Sequence, residues 1–500
     1  MITPARLPQN AAVRLPGGES LDRAAHPAAA ATRRAPRPLV WLFYLYILST
    51  PFFGYSLFNV GARGLLRIDW VTAMLVVGIF LLSLLAGKAH LRRSLINILA
   101  LVFAYSALFS ILSLLHPHTY LAQFVDFGTK GAQFFISLVF FFSVSNLGLQ
   151  KSEAVTMVRL WLGITLLLSL YALYQVPARV YGWDFANFAL TNPSVAAGGG
   201  EARVIYGFPQ VNSIFREPSY LGAYLLAPTL LLTTILLRGQ GRAFFFKHAL
   251  FNWGTLAVLC LAMLVTSSQG AYLSLAGALG IVFLSGHIDR KKMIAIFTVC
   301  LVVLAIVGLI LSSLQIDLLG SIALRFKYLI INMVNPDETT EITSFKARSE
   351  CITAAFQAWS RSPLLGVGLN NMSYNSDLCD YSLGWSQLVA DQGIAGILSM
   401  LLVITALWYS LTRLSARQGL SPIWATLCLA MSFVLVSDFI NGFFAYNWTD
   451  LQRWSNLAIA HMVLLQARSS LSVAEGGNDG PGAGFSRSPL PRFTQEESKA

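Results

Sequence analysis

The chain has 500 residues, of which 55% are hydrophobic and only 12% charged, with a formal net charge of +12 and a mean hydropathy of +0.62. Ordinary soluble domains carry about twice that share of charge, so the composition excludes a soluble globular protein and predicts a polytopic membrane protein. The positive balance reflects Lys and Arg in short connections, which makes it a topology signal rather than a sign of nucleic-acid binding.

Residues 1–38 are rich in Arg, Ala and Pro and have no apolar core before Leu39, which predicts a disordered basic cytoplasmic tail rather than a cleaved signal peptide. From residue 39 to residue 467, about twelve apolar windows approach the length that crosses a bilayer, which predicts a polytopic membrane domain. The windows lie near 39–59, 71–88, 95–115, 131–148, 157–176, 218–237, 250–267, 270–286, 293–314, 389–410, 423–443 and 455–467. Residues 468–500 are rich in Gly, Ser and Pro and are predicted to form a disordered cytoplasmic tail.

The sequence therefore predicts an all-α integral membrane protein with about 12 transmembrane helices and a large, partly helical external loop between spans 9 and 10. Placing the Arg-rich N-terminus inside puts the Lys and Arg of every second connection inside as well, so both termini are predicted to be cytoplasmic. Two external loops, about 177–217 and 315–388, are longer than ordinary connections. The second predicts an amphipathic helix from about Phe345 to Ser360, and its apolar side comprises Phe345, Ile352, Ala355, Phe356 and Trp359.

Arg216 and Glu217 stand immediately before the span that includes Leu225 to Leu237. A charge carried deep into a bilayer costs roughly 2.5–3.5 kcal/mol, so a fixed charge pair there indicates a ligand or a partner. Glu217 could pair with Arg216, cap the following helix or accept a proton, and capping is the favoured single role.

Several cations fall in external segments, against the positive-inside tendency, so something negative is expected to compensate them. They are Arg203, Arg216, Arg325, Lys327, Lys346, Arg348 and Arg361. Arginine suits phosphate because its planar fork donates two parallel hydrogen bonds, and the alternatives are lipid headgroups or neighbouring carboxylates.

Motifs for nucleotide and metal chemistry are missing from the sequence: there is no Walker loop, dinucleotide fingerprint or H-E-x-x-H run. His116 and His118 flank a proline without nearby Cys or carboxylate, and interfacial polar histidines are the favoured interpretation. We therefore predict no cofactor and no metal. Cys351 and Cys379 share the second loop, and the sequence leaves open whether they form a disulfide.

Four short segments together carry a family resemblance. They are Phe215-Arg-Glu-Pro-Ser219, the turn Thr266-Ser-Ser-Gln-Gly270, the stretch Arg348…Trp359-x-x-Ser-Pro-Leu-Leu-Gly-Val-Gly368, and Trp385-Ser-Gln-Leu-Val-Ala-Asp-Gln-Gly-Ile-Ala-Gly396. In this layout, roughly residues 40–470 resemble the superfamily of O-antigen ligases and Wzy-type polysaccharide polymerases.

The resemblance implies transfer of a glycan from undecaprenyl pyrophosphate to an acceptor hydroxyl at the periplasmic face of a bacterial inner membrane. It implies catalytic roles for Arg216, Glu217 and Arg348. It further implies substrate contacts from Arg203, Arg325, Trp183, Tyr206 and Trp359, the aromatic side chains stacking on sugar rings. The partners it implies are the lipid-linked oligosaccharide and membrane lipids, with chain-length regulator and export proteins as further candidates and no nucleic acid.

Two departures from the family pattern favour a polymerase over a ligase. Ser382 stands where the ligases carry a histidine, and Gln269 stands where the family often has an arginine. The catalytic base is therefore unassigned. A ligase that transfers glycan to lipid A core and a flippase remain the alternatives, although a flippase predicts related halves and intramembrane charges rather than charged external loops.

Overall fold

A computed structural model describes residues 35–53, 55–60, 63–115, 120–188, 204–205, 208–286, 290–313, 315–317, 319–321, 323–324, 327, 331, 343–375, 384–444 and 448–476. Its helices are α1 Arg37–Ser49, α2 Ile68–Leu85, α3 Leu95–Phe109, α4 Leu121–Ser145, α5 Lys151–Tyr181, α6 Pro218–Leu237, α7 Gly241–Phe244, α8 Ala249–Thr266, α9 Gln269–Leu284, α10 Arg290–Ser313, α11 Thr343–Arg361, α12 Gly384–Ser415, α13 Pro422–Asn441 and α14 Leu451–Gly476. Two short antiparallel hairpins complete the described fold, β1 Ser56–Val60 with β2 Arg63–Arg67, and β3 Val204–Ile205 with β4 Phe208–Pro209.

The fold is that of an all-α integral membrane protein, as predicted. In the described part of the chain, eight helices are long and apolar enough to cross a bilayer: α2, α3 with its extension to Leu114, α4, α5, α6, α8, α12 and α13. Every one of the twelve predicted windows contains a helix, but α9 has only 16 residues, and α1, α10 and α14 are not among these eight. The count of twelve spans stays a prediction.

The first predicted window is wrong in its length. Helix α1 ends at Ser49, a short 3-10 turn follows at Thr50–Phe52, and the chain then forms the hairpin of β1 and β2. Pro51 supplies the physical reason, because proline has no N–H to continue the helical hydrogen bonds and its ring clashes with the preceding turn.

Helix α6 lies at the centre of the bundle. It packs on α13, α8 and α9, and 89% of its apolar window is buried. Small residues permit this close approach, as where Gly222 lies directly against Ser268 in the turn between α8 and α9. The residues just before α6 are therefore at the centre of one end of the bundle and not at its lipid-facing edge.

An aromatic group fixes the start of α14 between α3 and α4. The ring centroids of Phe103 and Trp448 lie 5.5 Å apart, and those of Phe134 and Trp454 lie 5.5 Å apart. The Trp454 indole N–H donates to the Trp448 carbonyl at 3.1 Å. Edge-on aromatic pairs of this kind contribute about 0.5–1.5 kcal/mol beyond the area they bury, so this segment is held firmly.

Helix α12 is broken at Gly393, where φ is 61° and ψ is −155°. The turn Pro363–Gly368 docks into the break: Val367 and Gly368 donate their N–H groups to the carbonyls of Ala390 and Asp391, and two residues after the break donate back to the turn. The orphan backbone groups of a broken membrane helix are thereby satisfied by protein, as the bilayer requires. The second of the two long loops is anchored by these bonds.

The predicted amphipathic helix exists as α11, but its predicted buried face is wrong. Cys351, Ala354, Ala355 and Ala358 are buried, while Ile352 and Phe356 are 39% and 52% exposed. Small side chains allow α11 to approach α12 closely, and the contact with Ala390 completes this packing. The larger apolar residues are left on the outside because close packing of two helices favours the small face.

Candidate active site

Charged side chains converge at one end of the bundle, where α2, α6 and α14 begin. We define the charged cluster as Arg67, Lys130, Arg216, Glu217, Asp450 and Arg453. The charges of Arg67, Lys130 and Arg453 act on the Asp450 carboxyl group, and those of Arg216, Glu217 and Asp450 act on the Tyr220 hydroxyl. This is the end of the bundle that the charge of the connections predicts to be external.

Arg67 is held by Asp69. Its Nε donates to Asp69 Oδ1 at 3.0 Å and its Nη2 to Oδ2 at 2.7 Å, which is the two-pronged geometry of a strong pair. The guanidinium also lies 5.8 Å from the Phe53 ring centroid and 5.7 Å from that of Trp70. Arg67 therefore fixes the junction of β2 and α2, and its charge is largely balanced.

Arg216 differs from Arg67 because it forms no ion pair with any residue that the structure describes. Its Nε is buried and has no hydrogen-bond partner in the described structure. Leaving a buried donor unsatisfied costs about 1–3 kcal/mol, and more for a charged group. An uncompensated guanidinium ahead of the central helix has donors available for an anionic ligand.

Glu217 is the residue before α6, at the N-cap position of the helix. Its side chain accepts no hydrogen bond from the backbone N–H groups of the first turn. Its Oε2 instead accepts a hydrogen bond from the Ser219 hydroxyl at 3.3 Å, and within the described residues it forms no ion pair with Arg216. The predicted pairing with Arg216 is therefore wrong. Glu217 does stand at the N-cap position of α6, where negative charge is favoured, but Ser219 holds its carboxylate and the side chain makes no capping hydrogen bond.

Aromatic rings connect the first hairpin to the start of α6. The Phe53 ring centroid lies 5.5 Å from that of Phe215 and 5.3 Å from that of Tyr220. Phe53 also lies beneath the Arg67 guanidinium. These contacts hold the segment that carries Arg216 beside the junction of β2 and α2, although about 150 residues separate them in sequence.

Asp450 lies between the cations, immediately before α14. Its backbone carbonyl accepts hydrogen bonds from the N–H groups of Arg453 at 3.1 Å and Trp454 at 3.3 Å, which fixes the residue at the start of the helix. Its side chain is half-buried. Burial raises the pKa of Asp450 above the usual carboxyl range, and the charges of Arg67, Lys130 and Arg453 oppose that rise.

Arg453, near the start of α14, is only 6% exposed and lies where α12, α13 and α14 meet. Its guanidinium carbon lies 5.0 Å from the centroid of the Trp385 ring, at the start of α12. The Trp385 indole N–H donates to the Phe439 carbonyl near the end of α13 at 2.7 Å. Asp438, whose Oδ2 accepts a hydrogen bond from Asn456 at 2.7 Å, lines the same small pocket as Arg453 and Trp385.

Asp391 connects the break in α12 to the segment before α14. Its carboxylate accepts hydrogen bonds from the Trp448 indole N–H at 3.2 Å and from the Asn370 N–H at 3.1 Å, and the residue is fully buried. Trp448 lies two residues before Asp450, so the docked loop helps to position the charged cluster. Sequence reasoning did not single out Asp391, although an acid beside the Gly393 break was the available signal.

Three members of the charged cluster were missed for a shared reason. Lys130 lies within α4, Arg67 lies beside an apolar window, and Arg453 begins the last window, so none belongs to a recognisable motif. Only the packing of distant helices brings them together.

The other candidate residues that the structure describes lie on α11 and just after α5. Arg348 is half-buried on α11, which packs on α12. The Trp359 indole N–H donates to the Pro363 carbonyl at 2.9 Å, which closes the docked turn. Trp183 is exposed and stacks on Tyr181 with their ring centroids 5.8 Å apart.

Several predictions lie outside the described residues. They concern Arg203, Tyr206, Arg325, Cys379, Ser382, His116 and His118. Among the residues that are described, no group of three or more His, Cys, Asp or Glu could hold a metal ion. Cys351 is disulfide-bonded.

Comparison with known proteins adds one match. Residues 254–388 match the family described as O-antigen ligase. The matched region runs from α8 into the start of α12 and includes Arg348, Trp359 and the docked turn, whereas all six members of the charged cluster lie outside it. A search of curated proteins found no match.

Proposed function

We propose that this multi-pass membrane protein polymerises lipid-linked oligosaccharides. The match of residues 254–388 to the O-antigen ligase family supports the proposal. The donor is an oligosaccharide repeat on undecaprenyl pyrophosphate, and the product is a surface polysaccharide built by block transfer. The proposed location is the periplasmic face of a bacterial inner membrane, with both termini in the cytoplasm.

The observation that carries this proposal is the uncompensated guanidinium of Arg216. It precedes the central helix, its Nε is buried and unsatisfied, and within the described chain it forms no ion pair. A diphosphate offers several charged oxygens to such a fork. The cationic surroundings of Lys130 and Arg453 favour the same ligand.

In the proposed reaction the protein forms no covalent bond with the substrate. The acceptor hydroxyl oxygen bonds to the anomeric carbon, and the bond from that carbon to the pyrophosphate oxygen breaks with its electron pair leaving on the pyrophosphate. Arg216 stabilises the charge that develops there, and the surrounding helices orient the acceptor. Attack opposite the leaving group inverts the anomeric centre.

The remaining candidate residues act on the substrate in this proposal. Arg348 supplies a second cation from the external loop, with Arg203 and Arg325 as further contacts. Trp183, Tyr206 and Trp359 offer aromatic faces to sugar rings. Glu217 is the sequence-predicted candidate to accept a proton. Apolar grooves between helices take the polyprenyl tail.

Two departures support a polymerase over a ligase: Ser382 stands where the ligases carry a histidine, and Gln269 stands where the family often has an arginine. The test supplies purified protein with labelled lipid-linked oligosaccharide and separates the products by length. We expect a ladder of lengths. A single product on lipid A core would indicate a ligase, and movement across the bilayer without new bonds would indicate a flippase.

The disulfide at Cys351 allows a milder prediction. We expect Cys351→Ser to leave the transfer rate nearly unchanged and to lower the apparent Tm, because such a bond adds about 2–4 kcal/mol of stability without taking part in the chemistry. The rate and the Tm are measured in detergent, and Gly163→Ala in α5 serves as a matched control because a Cβ there meets nothing within 4 Å. Loss of transfer in a Cys351→Ser protein that unfolds at the normal temperature would contradict the prediction.

A further inference from the structure

We propose that Asp450 is the general base that accepts the proton of the attacking acceptor hydroxyl. This inference rests on the proposed function, and it fills the catalytic role that the sequence leaves unassigned.

The position of Asp450 suits this role. The residue is fixed at the start of α14 by the two hydrogen bonds to its carbonyl, so its carboxylate extends from a rigid element. The Tyr220 hydroxyl on the first turn of α6 lies within electrostatic range of both Arg216 and Asp450. In this proposal, a substrate whose diphosphate binds Arg216 presents its reacting end to Asp450.

Four other described acids at this end of the bundle are already engaged. Asp69 is held by both donors of Arg67, Asp391 is sealed under Trp448 and Asn370, and Asp438 accepts a hydrogen bond from Asn456. Glu217 accepts one from Ser219. Asp450 has a half-buried carboxylate that accepts no hydrogen bond and forms no ion pair within the described residues.

Charges face Asp450 from every element around it. They are Arg67 and Asp69 at the start of α2, Lys130 on α4, Arg453 on α14 and the Tyr220 hydroxyl on α6. Burial raises the pKa of the carboxyl group, while the three cations keep the ionised form accessible. A general base works best when its pKa lies near the working pH, which ordinary exposed carboxyl groups do not reach.

The proton is fully accounted for in this step. As the acceptor oxygen bonds to the anomeric carbon, its proton passes to an Asp450 carboxylate oxygen. The lipid pyrophosphate leaves with the electron pair of the broken bond. Asp450 then returns the proton to solvent, which restores the carboxylate for the next transfer.

The test compares the pH dependence of transfer in the wild-type protein and in Asp450→Asn. Only the ionised carboxylate accepts a proton, so the wild-type rate should fall as the pH drops through the pKa of Asp450. Asp450→Asn should lower kcat by about 100-fold or more, with little change in KM, and should lose that acidic limb. A merely structural role would not remove the limb.

Two controls show whether loss of the acidic limb is specific to the Asp450 carboxylate. Asp317→Asn changes an exposed acid that accepts a hydrogen bond from the Gly320 N–H, and it should keep the wild-type rate and pH profile. Binding of undecaprenyl pyrophosphate to Asp450→Asn should equal wild-type binding, which reports an intact fold and site.

The outcomes distinguish the two proposals. Absence of any glycan transfer by the wild-type protein would overturn the proposed function itself. Wild-type transfer with an unchanged rate and acidic limb in Asp450→Asn would overturn the inference alone. Loss of the limb in Glu217→Gln, with the limb kept in Asp450→Asn, would assign the base to Glu217 instead.

Discussion

Replacement of Arg216 by alanine is expected to lower the rate of glycan transfer by about 100-fold to 1,000-fold, which is the loss typical of removing one donor that stabilises developing negative charge. The physical reason is that Arg216 is a guanidinium whose donors are not committed to carboxylates of the described protein. The rate is measured on purified protein with labelled lipid-linked oligosaccharide. The same change at Arg348 is expected to reduce transfer as well, because the proposed function gives that residue a second cationic contact with the substrate.

The control for this prediction is a second arginine that is predicted to lie on the same side of the membrane but outside the charged cluster. Arg361→Ala removes an exposed arginine that is also predicted to be external, whose Nη1 donates to Asn375 at 2.9 Å, and it should transfer at the wild-type rate. Arg216→Lys should retain part of the activity, because a lysine keeps the charge but loses the fork. Wild-type transfer by a correctly inserted Arg216→Ala protein would remove the residue from the site.

Substitution of Gly366 by alanine is expected to destabilise the protein by about 3 kcal/mol or more, and to impair transfer with it. A Cβ at Gly366 would stand 2.3 Å from the Asp391 carbonyl carbon and 2.4 Å from the Gln392 nitrogen, and φ there is +73°. Both neighbours are backbone atoms that cannot move without undocking the turn from the break in α12. Thermal unfolding in detergent measures the loss.

Gly393→Ala tests the same contact from the other side, since its Cβ would lie 2.6 Å from the Pro363 carbonyl oxygen. Gly163→Ala in α5 is the neutral control, because its Cβ meets nothing within 4 Å. An unchanged Tm in Gly366→Ala and Gly393→Ala would show that the turn does not dock as described.

Hydropathy predicted the helical membrane fold because about twenty apolar residues in a row have few other stable conformations in a bilayer. It failed where local chemistry ends a helix early, as at Pro51. It also could not detect the break in α12, because Gly393 fits an apolar run and only the docked backbone of Pro363 and Leu364 makes the break stable.

The charged cluster was predictable only in part. Arg216 and Glu217 could be predicted from the sequence because two charged residues immediately precede an apolar span. Arg67, Lys130 and Arg453 come from elements far apart in sequence, and no local pattern records their convergence. For α11 the period predicted the helix correctly, but large apolar side chains suggested the wrong buried face, since membrane helices approach most closely through alanine and other small residues.

The most direct test of the central claim, that Arg216 binds the diphosphate leaving group, is the affinity of purified protein for radiolabelled undecaprenyl pyrophosphate. We expect the wild-type protein and Arg361→Ala to bind it equally, and Arg216→Ala to bind it at least about tenfold more weakly, because a charge-assisted pair contributes about 1.5–3 kcal/mol. Equal affinity in Arg216→Ala and the wild-type protein would contradict the account.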